Sequence, residues 1–108
     1  MNWSPYAIMW IFLFFDIPSR SKQEKREAYA FRSNLEKEGF RMFQYSVYTR
    51  LCGSRQAANL KMERVKRLIP HNGHVSMLVV TDKQYGQIVN LWNSHDIPLS
   101  SPVQLSLF

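Results

Sequence analysis

The residue with the clearest chemical potential in this sequence is a carboxylate at the end of an apolar run. Asp16 is the first charged side chain; ten apolar residues, 6–15, precede it, and Ile17 and Pro18 follow. A continuous apolar run is typical of a strand that is buried on both faces, and a proline prevents its regular continuation. We therefore expect Asp16 at the end of a buried strand, where it either caps the next helix or serves a chemical function.

A hard divalent cation is the ligand for which this carboxylate is best suited. Mg²⁺ needs only one or two protein carboxylates when phosphate and water complete its shell, and the ion can polarise a phosphodiester and activate water for hydrolysis. Asp82 is the only other carboxylate expected at a strand end, so a homodimer that joins both Asp16 side chains at its two-fold axis would supply the second ligand. The capping alternative stays open, although Ser19 and Ser21 lie closer to the next helix.

Basic residues are concentrated in two segments of a chain with a formal net charge of +6. Residues 20–41 hold seven bases and four acids, residues 50–67 hold six bases and one acid, and residues 84–108 contain no Lys or Arg. A positive face is typical of proteins that bind a phosphate backbone without reading sequence, whereas the mixed charges of Arg20 and Glu24 are also typical of a solvated helix face. The predicted nucleic-acid contacts are Arg20, Lys22, Arg26, Arg55, Lys61, Arg64, Lys66 and Arg67.

Other common chemistries find no support in the sequence. It has no glycine-rich phosphate loop, dinucleotide fingerprint or nucleophile elbow. The three histidines, His71, His74 and His95, form no ligand spacing with one another or with Cys52, so we interpret them as surface or turn residues and Cys52 as a packing residue. A single cysteine excludes an internal disulfide and fits a reducing, cytoplasmic setting.

Two amphipathic helices should carry most of these bases. Ser21 and Glu24 have the spacing of a capping box, and Gly39 should end the first helix in a left-handed conformation. Ser54 should cap the second helix, which we expect to run up to Pro70. The predicted buried faces are Ala28, Phe31 and Leu35 in the first helix, and Ala58, Met62, Val65 and Ile69 in the second.

The remaining segments read mainly as strands. Residues 40–50 form either one long strand or a hairpin folded near residues 44–46, and residues 74–81 form a further strand. Thr81 or Asp82 should cap a short helix over residues 83–85, and residues 88–92 favour a strand over a helix. The alternating apolar residues of the tail, Val103, Leu105 and Leu107, predict a last strand that is suited to pairing with another protomer.

This order of elements places two helices over one small sheet. We predict an α+β protein, a two-layer α/β sandwich of the ferredoxin-like kind, with a domain over residues 1–92 and a linker and extra strand over 93–108. The apolar run is about half of the ~20 residues that span a bilayer, and it lacks a basic leader and a cleavage site. We therefore expect a soluble, intracellular protein without a membrane partner.

Several motifs, in order along residues 6–92, resemble the CRISPR-associated adaptation proteins of the "Cas-two" family, in the variety found with type II systems. The most specific motif is Gln44-Tyr45-Ser46-Val47-Tyr48. The others are Phe14-Phe15-Asp16-Ile17-Pro18, Arg26 with Ala28-Tyr29 and Phe31-Arg32, Leu35, Gly39-Phe40, Arg64-Val65-Lys66 with Pro70, Gly73-His74-Val75 and Thr81-Asp82-Lys83-Gln84-Tyr85.

The resemblance implies a ferredoxin-like homodimer in the bacterial cytoplasm. Asp16 would hold Mg²⁺ or another divalent cation together with its counterpart in the other protomer, and would be the catalytic residue of an endonuclease acting on RNA or DNA. The resemblance also implies a scaffold for spacer acquisition, which binds double-stranded protospacer DNA and docks the "Cas-one" integrase subunit through its C-terminal strand. For that scaffold role the resemblance implies that catalysis would be dispensable.

Two further hypotheses stay open on the sequence alone. One is a free-standing endoribonuclease like the toxin-type relatives of this fold. The other is a non-catalytic ferredoxin-like module that binds RNA by stacking bases on exposed strand aromatics. Phe43 and Tyr45 are the candidates for such stacking, although their spacing fits a core equally well.

Overall fold

The computed structural model describes residues 7–93, which fold into one four-stranded sheet with its two long helices on one face. All neighbouring strands are antiparallel, in the order β2-β3-β1-β4. This confirms the ferredoxin-like α+β fold; residues 94–108, with the predicted strand at Val103, Leu105 and Leu107, lie outside the described residues. The elements are β1 Met9–Asp16, α1 Lys22–Lys37, β2 Arg41–Gln44, β3 Val47–Cys52, α2 Arg55–Lys66, β4 His74–Thr81 and α3 Asp82–Tyr85.

Local signals at the ends of α1 are confirmed. Ser21 is the N-cap: its side chain accepts from the backbone N–H of Glu24, whose carboxylate accepts from the backbone N–H of Ser21. Gly39, with a φ of +89°, follows the helix and turns the chain into β2. The predicted stripe of Ala28, Phe31 and Leu35 is buried, so the helix packs on the sheet through the face that the sequence indicated.

The second helix is shorter than the sequence predicts. Ser54 caps α2 as expected, but the helix ends at Lys66 rather than running up to Pro70. The backbone N–H of Leu68 bonds back to the carbonyl of Val65, three residues earlier, which tightens the last turn. A helical conformation is disfavoured immediately before a proline, so Ile69 packs against the core from the connecting segment instead.

Residues 40–50 form a hairpin rather than one strand. Strands β2 and β3 are joined by Tyr45 and Ser46, and Ser46 has a φ of +66°. The backbone N–H of Phe15 donates to the carbonyl of Ser46 over 3.1 Å. The hairpin turn is therefore attached to the end of β1, next to Asp16.

The two faces of β1 differ, which corrects the expectation that the strand is buried on both. Met9, Ile11 and Leu13 are buried beneath α1 and α2. On the opposite face Phe12 is half-buried, and Phe14 is 41% exposed. Helices α1 and α2 both lie on the first face. Among the described residues, α3 covers part of the second face, where Tyr85 stacks on Trp10 with 3.8 Å between ring centroids, and Phe14 stays partly exposed.

The segment after β4 confirms the predicted short helix but not the predicted strand. Thr81 caps the short α3 and closes a second capping box with Gln84. Residues 88–92 form neither strand nor helix: Ile88 lines an apolar groove, while Val89 and Leu91 are 76% and 89% exposed. The apolar residues that favoured a strand there are therefore not hydrogen-bonded into the sheet.

None of the helices within residues 7–93 has the length and apolar character needed to cross a membrane.

Candidate metal and nucleic-acid site

Asp16 is the last residue of β1 and is exposed. Its side chain has no hydrogen-bonding or ion-pairing partner among the described residues. Since Ser21 and Glu24 complete the cap of α1 between them, Asp16 is not needed as a capping group. The capping alternative is thereby excluded, and an unpaired carboxylate remains at the end of a strand that the core holds in place.

Several elements meet at the same end of the sheet, which we call the Asp16 end. The antiparallel register pairs Asp16 with His74, the first residue of β4. The β2–β3 turn is attached there through Ser46, α1 begins shortly after β1 ends, and α2 ends shortly before β4 begins. The Asp16 end therefore combines a carboxylate with an imidazole and with the basic ends of two helices.

Asp82 lies at the opposite end of the sheet from Asp16. It follows Thr81, which pairs with Met9 at the start of β1, so the strand separates the two carboxylates by roughly 23 Å at ~3.3 Å per residue. Its Oδ1 accepts a hydrogen bond of 2.7 Å from the indole Nε1 of Trp10. Asp82 thus supports the packing of α3 and cannot share a cation with Asp16 of the same chain.

The donor set fits a hard cation only in part. No group of three or more His, Cys, Asp or Glu side chains within residues 7–93 could hold a metal ion. An exposed, unpaired carboxylate is a suitable oxygen ligand for Mg²⁺, which accepts one or two protein carboxylates alongside phosphate and water. One chain therefore offers a single suitable carboxylate at this place, and a complete cation site would need further ligands from a second chain or a substrate.

An apolar groove adjoins Asp16 on the face of the sheet opposite α1 and α2, and Tyr85 of α3 is one of its lining residues. Its volume is about 320 Å³, and Leu78 on its floor is 54% exposed. Phe14, two residues before Asp16 on the same face, is one of the residues that line it. Further lining residues are Phe12, Val47, Val80 and Ile88.

Comparison with known proteins shows the family of this chain. The sequence model of the family described as "CRISPR associated protein Cas2" matches residues 9–88. The chain belongs to the Cas2 family. This family member is 36% identical over 104 residues to the "CRISPR-associated endoribonuclease Cas2" of Flavobacterium psychrophilum, which covers 95% of this chain and 90% of the relative.

Two further relatives carry the same printed name. The protein of Parvibaculum lavamentivorans is 37% identical over 101 residues, 93% of this chain and 100% of the relative. That of Campylobacter jejuni is 41% identical over 80 residues, 74% of this chain and 56% of the relative. These matches support the family named by the sequence motifs; the type II variety stays a prediction.

The predicted nucleic-acid contacts of this Cas2 family member divide into two groups. Lys61 and Arg64 both bind Glu38, and Lys66 forms an ion pair of 2.9 Å with Glu63. The pKa of Glu24 is lowered, first by the hydrogen bond from the backbone N–H of Ser21 and also by the nearby Arg20. Of the eight predicted contacts, Lys22, Arg26, Arg55 and Arg67 are exposed and have no side-chain partner among the described residues.

These unpaired bases lie at different places on the domain. Lys22 begins α1 and Arg67 follows α2, so both lie at the Asp16 end. Arg55 begins α2 and therefore lies near the end of β3, at the other end of the sheet, since Cys52 pairs with Met9. Among the eight predicted contacts, Lys22 and Arg67 are thus the ones best placed to hold phosphate near Asp16.

Two histidines and the cysteine can now be placed, whereas His95 lies outside the described residues. His71 lies exposed in the turn before β4, as expected. His74 is also exposed, but the register puts it directly opposite Asp16, a pairing that no sequence spacing signals. Cys52 is buried in the core, and burial raises the pKa of its thiol, which agrees with its interpretation as a packing residue.

The two aromatic residues considered for base stacking also have different surroundings. Phe43 is half-buried and packs edge-on against Phe12, with 5.4 Å between ring centroids. Tyr45 is 80% exposed at the hairpin turn. Of these two candidates only Tyr45 is therefore available for base stacking, and it lies in the hairpin turn rather than on a strand.

Proposed function

We propose that this chain is a homodimeric subunit of CRISPR spacer acquisition that binds double-stranded DNA and carries a divalent-metal-dependent phosphodiesterase site at Asp16. One observation carries the proposal: in a Cas2 family member, an unpaired carboxylate lies at the rim of an apolar groove on the sheet face opposite α1 and α2. The groove supports the dimer and the carboxylate supports the cation, whereas nucleic-acid binding is supported by the exposed bases Lys22 and Arg67 at the same end of the sheet.

The uncovered sheet face supports a homodimer. Exposed apolar surface of this kind is typical of an interface, and two sheets can pack face to face about 10 Å apart. In a two-fold dimer each protomer uses the same surface. Because Asp16 lies on the grooved face beside Phe14, packing of the two grooves would bring both Asp16 carboxylates to one interface.

The paired carboxylates would hold Mg²⁺ or another divalent cation. When bound, such an ion polarises the phosphodiester and lowers the pKa of a coordinated water. The chain's own contribution is one fixed oxygen ligand per protomer from Asp16, and phosphate binding by Lys22 and Arg67 at the same end of the sheet. Backbone binding of this kind depends on charge rather than on base sequence.

The scaffold role extends the proposal to a second protein. In spacer acquisition the dimer would bind a protospacer duplex along its basic surface and dock the Cas-one integrase subunit. We assign that docking to Val103, Leu105 and Leu107, whose alternation with polar residues suits β-sheet addition to another chain. The prediction is that the full chain co-purifies with the integrase subunit and that deletion of residues 102–108 abolishes co-purification.

A second candidate function is RNA cleavage without a scaffold role. Its support is the printed name of all three relatives above, "CRISPR-associated endoribonuclease Cas2". The same Asp16 site would serve, because Mg²⁺-dependent hydrolysis acts on the phosphodiester of either nucleic acid. The two functions therefore differ in whether the protein acts on DNA or on RNA. They do not differ in the residue that would hold the metal.

The decisive experiment compares two isosteric substitutions at opposite ends of the sheet. Asp16→Asn should abolish Mg²⁺-dependent cleavage of duplex DNA or single-stranded RNA, since an amide is a poor cation ligand. Asp82→Asn, which keeps an oxygen able to accept from Trp10, should cleave as the unsubstituted protein does. Light scattering should show the same dimer for all three proteins. Cleavage that survives in the purified Asp16→Asn protein would exclude Asp16 as the catalytic residue.

A further inference from the structure

Strand β4 presents an imidazole directly across from the Asp16 carboxylate. The register between β1 and β4 pairs Asp16 with His74, Phe14 with Ser76 and Phe12 with Leu78. Residues directly opposite each other in an antiparallel pair share one face, with Cβ atoms about 4.5–5.5 Å apart. His74 therefore projects on the same side of the sheet as Asp16, at the rim of the apolar groove.

Both side chains are exposed and available for a ligand. Asp16 and His74 form no ion pair with each other, and neither has a hydrogen-bonding partner within residues 7–93. Their neighbours along the grooved face, Phe14 and Ser76, carry no charge. An isolated carboxylate and imidazole on adjacent strands can thus turn toward a common ion without breaking an existing contact.

We propose that His74 is a second protein ligand of the divalent cation held by Asp16. This inference rests on the metal site of the proposed function and adds a nitrogen donor to it. Bonds of about 2.0–2.2 Å from a cation to an oxygen and to a nitrogen can span two side chains whose Cβ atoms are neighbours across a strand pair. In a homodimer the site then offers two carboxylates and two imidazoles.

The imidazole changes which cation the site prefers. Carboxylate and water ligands suit both Mg²⁺ and Mn²⁺, whereas imidazole suits Fe²⁺, Ni²⁺ and Zn²⁺, and the affinity of a given site rises from Mn²⁺ through Fe²⁺ and Co²⁺ to Ni²⁺. A site of Asp16 alone should therefore accept Mg²⁺ and Mn²⁺ alike, and the nitrogen of His74 should shift its preference away from Mg²⁺ toward Mn²⁺ and the later transition metals. Cation selectivity separates the two arrangements independently of nuclease activity.

The experiment uses the full-length, untagged dimer with Mn²⁺ as the probe. Electron paramagnetic resonance measures free Mn²⁺ in a titration, and electron spin echo modulation detects a nitrogen-14 nucleus bound to the ion. Competition by Mg²⁺ reports the relative affinity. The variants are His74→Gln, Asp16→Asn and, as a matched control, His71→Gln, an exposed histidine three residues away that lies outside the sheet; light scattering checks that each remains a dimer.

We expect His74→Gln to weaken Mn²⁺ binding by at least about tenfold. Mutation of a residue that only supports a metal ligand already lowers metal affinity by about 10- to 100-fold. His74→Gln should also abolish the nitrogen modulation and leave Mg²⁺ affinity nearly unchanged, whereas His71→Gln should alter none of these. Unchanged Mn²⁺ affinity in His74→Gln, combined with reduced affinity in Asp16→Asn, would overturn the role of His74 and leave the Asp16 site standing. Unchanged affinity in Asp16→Asn would overturn both this inference and the proposed metal site.

Discussion

Arg64 on α2 donates two hydrogen bonds to the carboxylate of Glu38, which caps the end of α1: one of 2.9 Å from Nε and one of 3.1 Å from Nη2. Lys61, one turn earlier on α2, adds a third of 2.9 Å. Charge-assisted bidentate pairs are the stronger kind of hydrogen bond. Lys61 and Arg64, two of the predicted nucleic-acid contacts, thus join α2 to α1 through Glu38. The predictions for α2 depend on the difference between bases paired in this way and bases that are free to bind phosphate.

The Glu38 ion pairs should make stability depend on pH in a defined range. Hydrogen bonds from Arg64 and Lys61 lower the pKa of Glu38 from 4.5 to about 2. A carboxyl group with a lowered pKa in the folded state stabilises it fully above the unfolded-state pKa, and that contribution is lost as the pH falls through the folded-state pKa. We expect Glu38→Gln to be less stable than the unsubstituted protein above pH 5, with a difference that shrinks as the pH falls from 4.5 toward 2.

Urea unfolding followed by circular dichroism at several pH values measures this difference. Glu63→Gln is the matched control, because Glu63 pairs only with Lys66 on its own helix, and both side chains are 62% exposed. Exposed pairs contribute little, so Glu63→Gln should have a small effect across the range. A stability difference for Glu38→Gln that stays constant down to pH 2 would contradict the assignment of the ion pairs.

Gly39 should be intolerant of any side chain. Its φ of +89° disfavours an L-residue, and a Cβ would lie 2.6 Å from Nε of Arg50. That nitrogen donates a hydrogen bond of 3.0 Å to the carbonyl of Glu38 at the end of α1, so Gly39→Ala should break it or displace the backbone. We expect a loss of about 1–3 kcal/mol in the free energy of unfolding, measured by urea titration.

Gly86 provides the control for that substitution. It has a φ of −67°, and a Cβ there would meet no atom closer than 3.6 Å. Gly86→Ala should leave stability unchanged or raise it by up to about 1 kcal/mol, because it restricts the unfolded chain. Equal losses in the two variants would show that the conformation of Gly39 is not the cause.

Arg67 and Arg64 should differ in their effect on DNA binding. Arg67 is exposed without a side-chain partner among the described residues, whereas Arg64 is engaged with Glu38. Each phosphate contact that is lost lowers the salt dependence of the binding constant by about 0.9 in logarithmic slope. We expect Arg67→Gln to weaken duplex binding and reduce this slope, measured by fluorescence anisotropy at several salt concentrations.

Arg64→Gln should show the reverse pattern, with lower stability in urea and nearly unchanged salt dependence of binding. The same proteins and duplex serve both measurements. If Arg64→Gln reduces the salt slope as much as Arg67→Gln does, the ion pair with Glu38 does not withhold Arg64 from DNA. The eight predicted nucleic-acid contacts would then not divide into paired bases and bases available to DNA.

Phe14 should be required for dimer formation and not for folding of the protomer. It lines the groove and is 41% exposed in a single chain, so a charged residue there is tolerated in the monomer but costly in a packed interface. We expect Phe14→Asp to be monomeric by light scattering with an unchanged circular dichroism spectrum. Tyr29→Asp, at an aromatic residue that is 71% exposed on α1, should remain dimeric; a dimeric Phe14→Asp protein would exclude the grooved face as the interface.

Features that depend on neighbouring residues could be predicted from the sequence. The Ser21–Glu24 capping box and the positive φ of Gly39 involve contacts or torsions within a few residues, and both are confirmed. The sequence did not distinguish a hairpin from one long strand at residues 40–50. The turn depends on a positive φ at Ser46, which is uncommon for serine and could not be predicted from its residue type. The strand predicted over residues 88–92 was wrong, since apolar composition alone does not supply a neighbouring strand with which to pair.

The ferredoxin-like order of elements, the family and the position of Asp16 at a strand end could all be predicted from the sequence. The surroundings of that carboxylate depend on how the chain folds. Insertion of β1 between β3 and β4 puts His74 beside Asp16 and Asp82 at the far end of the sheet, and packing of both helices on one face leaves Phe14 uncovered. These relationships are between residues far apart in the chain. They are set by strand register and layer packing, which depend on the whole core rather than on any local pattern.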